Sequence, residues 1–209
     1  MAWDGGPARV ITLMADRLAE RLPGLLQKHR QHNGWLPEAL PEPVVHADWQ
    51  PAEVGLDLMP SLWVSEVQTS AVTGPWRATP QSVENVIAWR YLVGVDAYLR
   101  DVNAQALAVQ RRALLLAVRT CLLYQPGLFV PHGDEDPYYS ATVQQSLWQE
   151  RYSNIGTAQP QGVVGGFTVQ CQVDTEEQLD TWQPSLGQVD WITANIIPIP
   201  ITVPMPDQP

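Results

Sequence analysis

Charge is scarce in this sequence. Only 16% of its 209 residues are charged, and of twelve basic residues just one, Lys28, is a lysine. Twenty-two acidic residues leave a formal net charge of -10. That balance argues against tight nucleic-acid binding through phosphate neutralisation. It permits two readings: general solubility, or an acidic wall that DNA slides past without sticking. With 45% hydrophobic residues, the polar surface falls largely to Gln, Asn, Ser and Thr. A lone monomer ordinarily carries more charge, so this composition suits a surface covered by neighbours.

Cysteine is equally sparse. Cys121 and Cys171 lie fifty residues apart, which matches neither a disulfide framework nor a metal-ligand spacing. Both are expected as unpaired core residues. The longest apolar stretch, Ala113 to Tyr124, is broken by Arg119 and too short to span a bilayer. MAWDGGPARV has no basic segment followed by an apolar run, so no signal peptide is expected and the protein is expected to be made and kept in a cytoplasm or to leave it by lysis.

Reactive motifs are missing too. His29, His32, His46 and His132 are scattered, and no HExxH accompanies them. His132-Gly133-Asp134-Glu135-Asp136 offers oxygens to a hard cation but lacks the spacing of an EF-hand loop, and reads as a solvated acidic loop. Gly162-Val163-Val164-Gly165-Gly166 has no lysine after it and leads into a strand, so it is a strand entry and not a phosphate cradle. No GxSxG turn occurs. No catalytic residue, cofactor or metal site is assigned.

What is present is an order of elements. Pro7 suits the first turn of a helix and Asp4 its positive end. Val10, Leu13, Met14, Leu18, Leu22 and Leu25 recur at spacings of three and four, predicting a helix to about His29 that Pro23 bends or splits. Proline-rich residues 31–51 form a long loop. Leu56 to Gln68 reads as a strand despite Pro60, and Asn85 to Leu99 as a longer one. In the second, Ile87, Trp89, Tyr91, Val93 and Val95 share a face, opposite Ala88, Arg90, Gly94 and Asp96. Asp101 or Asn103 then caps a helix whose stripe is Leu107, Ala108, Leu114, Leu115, Val118 and Leu122, ended by Pro126-Gly127.

A loop from Phe129 to Ser140 holds the densest acids, Asp134, Glu135 and Asp136. Strands are predicted over Thr142 to Asn154, Gly166 to Asp174 and Val189 to Ile197; the middle one alternates Phe167, Val169, Cys171 and Val173 with polar residues. Thr175 to Gly187 reads as exposed. From Pro198 to Pro209 five prolines deny the chain a central strand or a helix, leaving an extended arm that carries Ile199, Ile201 and Val203. Such an arm lies along another surface or folds back on its own domain. Phenylalanine occurs twice but tryptophan nine times. Trp35, Trp49, Trp63, Trp76, Trp148, Trp182 and Trp191 supply core and, in part, subunit contacts.

The expected fold is therefore a single α+β domain over 1–209. It has a mixed, mainly antiparallel sheet, two principal helices, inserts at 31–51 and 129–140, and an extended arm at 198–209. This organisation resembles the tail terminator, or tail-to-head joining, proteins of long-tailed bacteriophages. The likeness runs through Arg21-Leu22-Pro23-Gly24-Leu25, Leu62-Trp63-Val64, Tyr91-Leu92-Val93-Gly94-Val95, Tyr124-Gln125-Pro126-Gly127-Leu128 and the run from Val164 to Val173. It covers most of residues 7 to 175 and is one of organisation.

The resemblance implies a non-enzymatic ring subunit, commonly one of six, assembled in the host cytoplasm and resident in the virion neck. Its partners would be its own copies, the tail tube protein and the head-tail connector or adaptor, with DNA passing through the channel unbound and no membrane involved. Trp76, Ile199, Ile201 and Val203 are the interface candidates, and Asp134, Glu135 and Asp136 face either the channel or plain solvent. Alternatives are another head-tail adaptor or a baseplate protein, a small-molecule enzyme lined by Arg90, Asp96 and His132, or a bacterial binding module.

Overall fold

The computed structural model describes residues 6–47, 56–71, 86–128, 139–153 and 162–178. The first element, α1, spans Pro7–Asn33 with Pro7 at its first turn. It ends where Gly34 takes the left-handed conformation (φ 65°) and the Trp35 N–H reaches back to the Arg30 carbonyl at 2.9 Å. The helix thus runs four residues past the expected stop, and Pro23 lies inside it without splitting it. Pro23 sits on the exposed side, where the carbonyl it leaves unpaired can meet water. Asp4 lies outside the described residues.

Within the expected loop 31–51, regular elements form. A short 3-10 turn, Pro37–Ala39, leads to β1, Val44–Ala47. β2 spans Ser61–Ala71 and begins only after Pro60, whose nitrogen has no proton to donate. β3 (Val86–Asp101), β5 (Tyr139–Ser153) and β6 (Val163–Gln178) are each fifteen or sixteen residues long. Between β3 and β5 come α2, Ala104–Leu123, and the two-residue β4, Gly127–Leu128. The strands form one six-stranded sheet in the order β1-β2-β3-β6-β5-β4, antiparallel except for β1 with β2, and curled into a half-barrel. The fold is α+β.

Both helices lie on one face of the sheet. Tyr91, Val93, Val95, Ala97 and Leu99 of β3 pair with Val173, Cys171, Val169, Phe167 and Gly165 of β6, and this row joins Leu62, Val64 and Val143 beneath α1 and α2. α1 contributes Val10, Met14, Leu18, Leu22 and Leu26, and α2 contributes Leu107, Leu114, Val118, Cys121 and Leu122. Asn103 caps α2, accepting from the Gln105 N–H at 2.8 Å, while Asp101 accepts from Asn103 N and from the buried Gln110 side chain. Cys121 and Cys171 are free and fully buried; burial pushes their thiols up to about 11 and about 12.

Arg17, buried on α1, donates both guanidinium nitrogens to the Gln125 and Gly127 carbonyls, fastening α1 to the turn after α2. Burial chiefly, then the neighbouring Arg21 charge, lowers its pKa. Gly165 and Gly166 stand inside β6, as expected of a strand entry. A Cβ on Gly166 would lie 1.7 Å from the Ala97 carbonyl oxygen.

Candidate interaction surfaces

The face of the sheet away from the helices is polar. Pairing fixes its rows: Ser70, Arg90, Asp174 and Thr142 in one, Gln68, Leu92, Gln172 and Gln144 in the next, then Ser65, Gly94, Gln170 and Gln149. The fourth row crosses five strands as His46, Trp63, Asp96, Thr168 and Arg151. Five glutamines therefore share this face with few charges, and those charges are largely answered. Arg90 pairs with Asp174 at 2.9 Å, and the Asp174 carboxylate also accepts from Gln172 at 2.7 Å. The Asp174 hydrogen bond and charge raise the Arg90 pKa.

Asp96 accepts from the Thr168 hydroxyl. Partial burial raises its pKa, outweighing that hydrogen bond. His46 stacks on Trp63 with ring centroids 4.1 Å apart and 13° between planes, while the Trp63 indole donates to Ser61. Arg90 and Asp96, paired in the sequence reading as pocket lining, share a face but stand six residues apart on β3. At about 3.3 Å per residue that is roughly 20 Å, and each is engaged by a different neighbour. They do not converge. His132 lies outside the described residues.

His29 and His32 sit on α1, away from His46 on β1. Among the described residues no group of three or more His, Cys, Asp or Glu is placed to hold a metal ion. A shallow cavity of about 570 Å³ opens at the C-terminal end of α1 between Pro23, Gln27, Trp35 and Glu42. Its arginine is already committed, because Arg30 donates to the Leu40 carbonyl and pairs with Glu42 at 3.0 Å. The cavity is the seam between helix and loop.

A different surface emerges where α2 overhangs β5. Arg111 donates to the Ser153 carbonyl and lies 5.4 Å over the Tyr152 ring; Arg119 grips Glu150 through both guanidinium nitrogens; and Gln145 donates to the Leu123 carbonyl. Burial pulls the Glu150 pKa up, but bonds from Arg119 and Trp148 and the Arg119 charge bring it below the ordinary value. Between these staples Leu116, Leu147 and Tyr152 are about half exposed. Near them the backbone of β5 is irregular: Gln144 pairs with Gln172 and Gln149 with Gln170, so three extra residues are accommodated on β5. Sequence reading missed this surface, although the Arg112, Leu116, Arg119 stripe at spacings of four and three was its available signal.

The interface candidates Trp76, Ile199, Ile201 and Val203, and the acidic trio Asp134, Glu135 and Asp136, lie outside the described residues. No helix among the described residues is long and apolar enough to cross a membrane. No protein-family model matches the sequence, and a search of curated proteins finds no relative.

Proposed function

We propose that this protein is a structural subunit of a phage neck, a tail terminator whose copies close into a ring, six in number, that caps the tail tube and meets the head connector. The single observation that carries it is the one-sided clothing of the sheet. Helices cover one face, while the other is broad, rich in glutamine and nearly charge-balanced, beside a half-apolar edge at α2 and β5. Such surfaces suit neighbours in an assembly better than a reacting small molecule, which calls for convergent polar groups in an enclosed pocket. The placement in a neck rests on the resemblance in element order: helix, two strands, helix, two long strands.

In this role Trp76, Ile199, Ile201 and Val203 contact adjacent subunits or the tube. Asp134, Glu135 and Asp136 face the channel, where they repel DNA phosphates during transit. The protein performs no chemistry; its work is to stop tube growth and offer a docking surface. Native mass spectrometry at micromolar concentration is expected to give one closed oligomer, and labelling in virions to mark a ring at the neck. Monomer alone, together with virions lacking such a ring, overturns the proposal.

A further inference from the structure

Among the described residues the sheet has an unfinished edge. β5 pairs outward with β4 only at Ala141 and Thr142, and the Val143 N–H is met by the Pro126 carbonyl. From Gln149 to Ser153 no described strand lies on that side, although β6 holds the same residues firmly on the other. Main-chain donors and acceptors that no described strand meets, the Ser153 carbonyl held by Arg111 aside, invite another strand.

Charge distinguishes the same edge. α2 carries Arg111, Arg112 and Arg119 and no acidic residue, in a protein whose net charge is -10. On β5, Glu150 is consumed by Arg119, while Arg112 and Arg151 are exposed and make no ion pair among the described residues. The chain supplies a matching segment. Residues 179–209 contain Asp180, Asp190 and Asp207 and not one basic residue, and Val189 to Ile197 has the pattern of a strand.

We infer that Val189–Ile197 of one copy adds as an antiparallel strand to the Gln149–Ser153 edge of the next, Asp190 drawn to Arg151 and its apolar side chains to Leu147 and Tyr152. This rests on the ring proposed above and names the surface that closes it. Chain length favours the neighbour over the same molecule. β6 ends at Gln178 beside the start of β5, and Ser153 pairs with Gly166, twelve residues back along β6 or about 40 Å. An antiparallel strand in the same molecule would have to begin at that far end. The eleven Cα–Cα steps from Gln178 to Val189, fully drawn out, reach about 36–40 Å, so a connection within one molecule would have to be fully taut while also stepping across β5, which a neighbour does not require. A donor-to-acceptor contact of this kind is heterologous, and repeated around an axis it closes a ring.

Gln149→Cys and Ile192→Cys, which stand opposite each other when Asp190 faces Arg151, combined in one chain and treated with a short bis-maleimide, test this directly, because buried Cys121 and Cys171 stay unreactive in the native protein. A ladder of intermolecular species that ends at the ring number is expected, with none from either single variant. As an independent check, Arg151→Glu should weaken assembly about tenfold or more, and adding Asp190→Lys should restore it. Crosslinking within single chains, or no crosslink and no charge-swap rescue while native mass spectrometry still shows the ring, overturns this inference and leaves the ring standing. Monomer in the unsubstituted protein overturns both.

Discussion

Asp96 places a carboxylate on the helix-free face with one hydroxyl donor, from Thr168, and partial burial raises its pKa. For an acid raised on folding, the native state binds the proton more tightly than the unfolded chain. Its contribution to stability is therefore greatest at low pH and falls as pH rises through the unfolded and then the native pKa. Asp96→Asn keeps an oxygen for Thr168 and abolishes the titration. It is expected to stabilise the protein at neutral pH by less than about 1 kcal/mol, given the screening at a partly exposed site, and by little at acid pH. Thermal midpoints of both proteins across pH 3 to 7 check this; a pH-independent difference contradicts it. Two glycines make an opposed pair. Gly166→Ala drives a Cβ to 1.7 Å from the Ala97 carbonyl oxygen, and overpacking of that severity costs about 2–3 kcal/mol. Gly24, inside α1 with nothing within 4 Å of a built Cβ, gains roughly 0.5–1 kcal/mol as alanine. Denaturant midpoints should move in opposite directions.

At the scale of elements, side-chain periodicity was legible where burial was one-sided. Trp89 to Val95 and Phe167 to Val173 alternate because one face meets helices and the other does not. The boundaries were less legible, since termini depend on partners. α1 runs on to Asn33 because Gly34 supplies a left-handed cap, and β1 forms because its four residues pair in parallel with β2, neither of which leaves a periodic trace. Arg17 and Gln110 carry no sequence signal of burial yet are buried; Arg17 reaches the Gln125 and Gly127 carbonyls and the Gln110 amide nitrogen reaches Asp101. The irregular stretch in β5 escaped notice because extra residues break the two-residue period there. The loop bearing Asp134, Glu135 and Asp136 is proposed as channel wall. Replacing all three by lysine is expected to slow DNA ejection from virions without blocking assembly, because phosphates would then be attracted. Unchanged ejection kinetics would mark an ordinary surface loop.

For the whole molecule, Leu18, Leu114, Val95 and Val169 are completely buried in one cluster formed by α1, α2 and the sheet. Residues beyond Ile197 are proposed to serve association rather than folding. Five prolines from Pro198 to Pro209 keep them out of a central ladder, and Ile199, Ile201 and Val203 would present an apolar ridge to water unless another surface received them. Deleting residues 199–209 is expected to leave a folded protein. Its thermal midpoint should fall by a few degrees, as for a loss of roughly 1 kcal/mol in a domain of this size. Ring closure or tube capping should suffer far more, because every subunit contact would lose the same element at once. Circular dichroism with a thermal scan reads the first effect, and native mass spectrometry with a tube-capping assay reads the second. A truncated chain that fails to fold would place the arm in its own core; one that folds and caps tubes normally would show the arm to be dispensable.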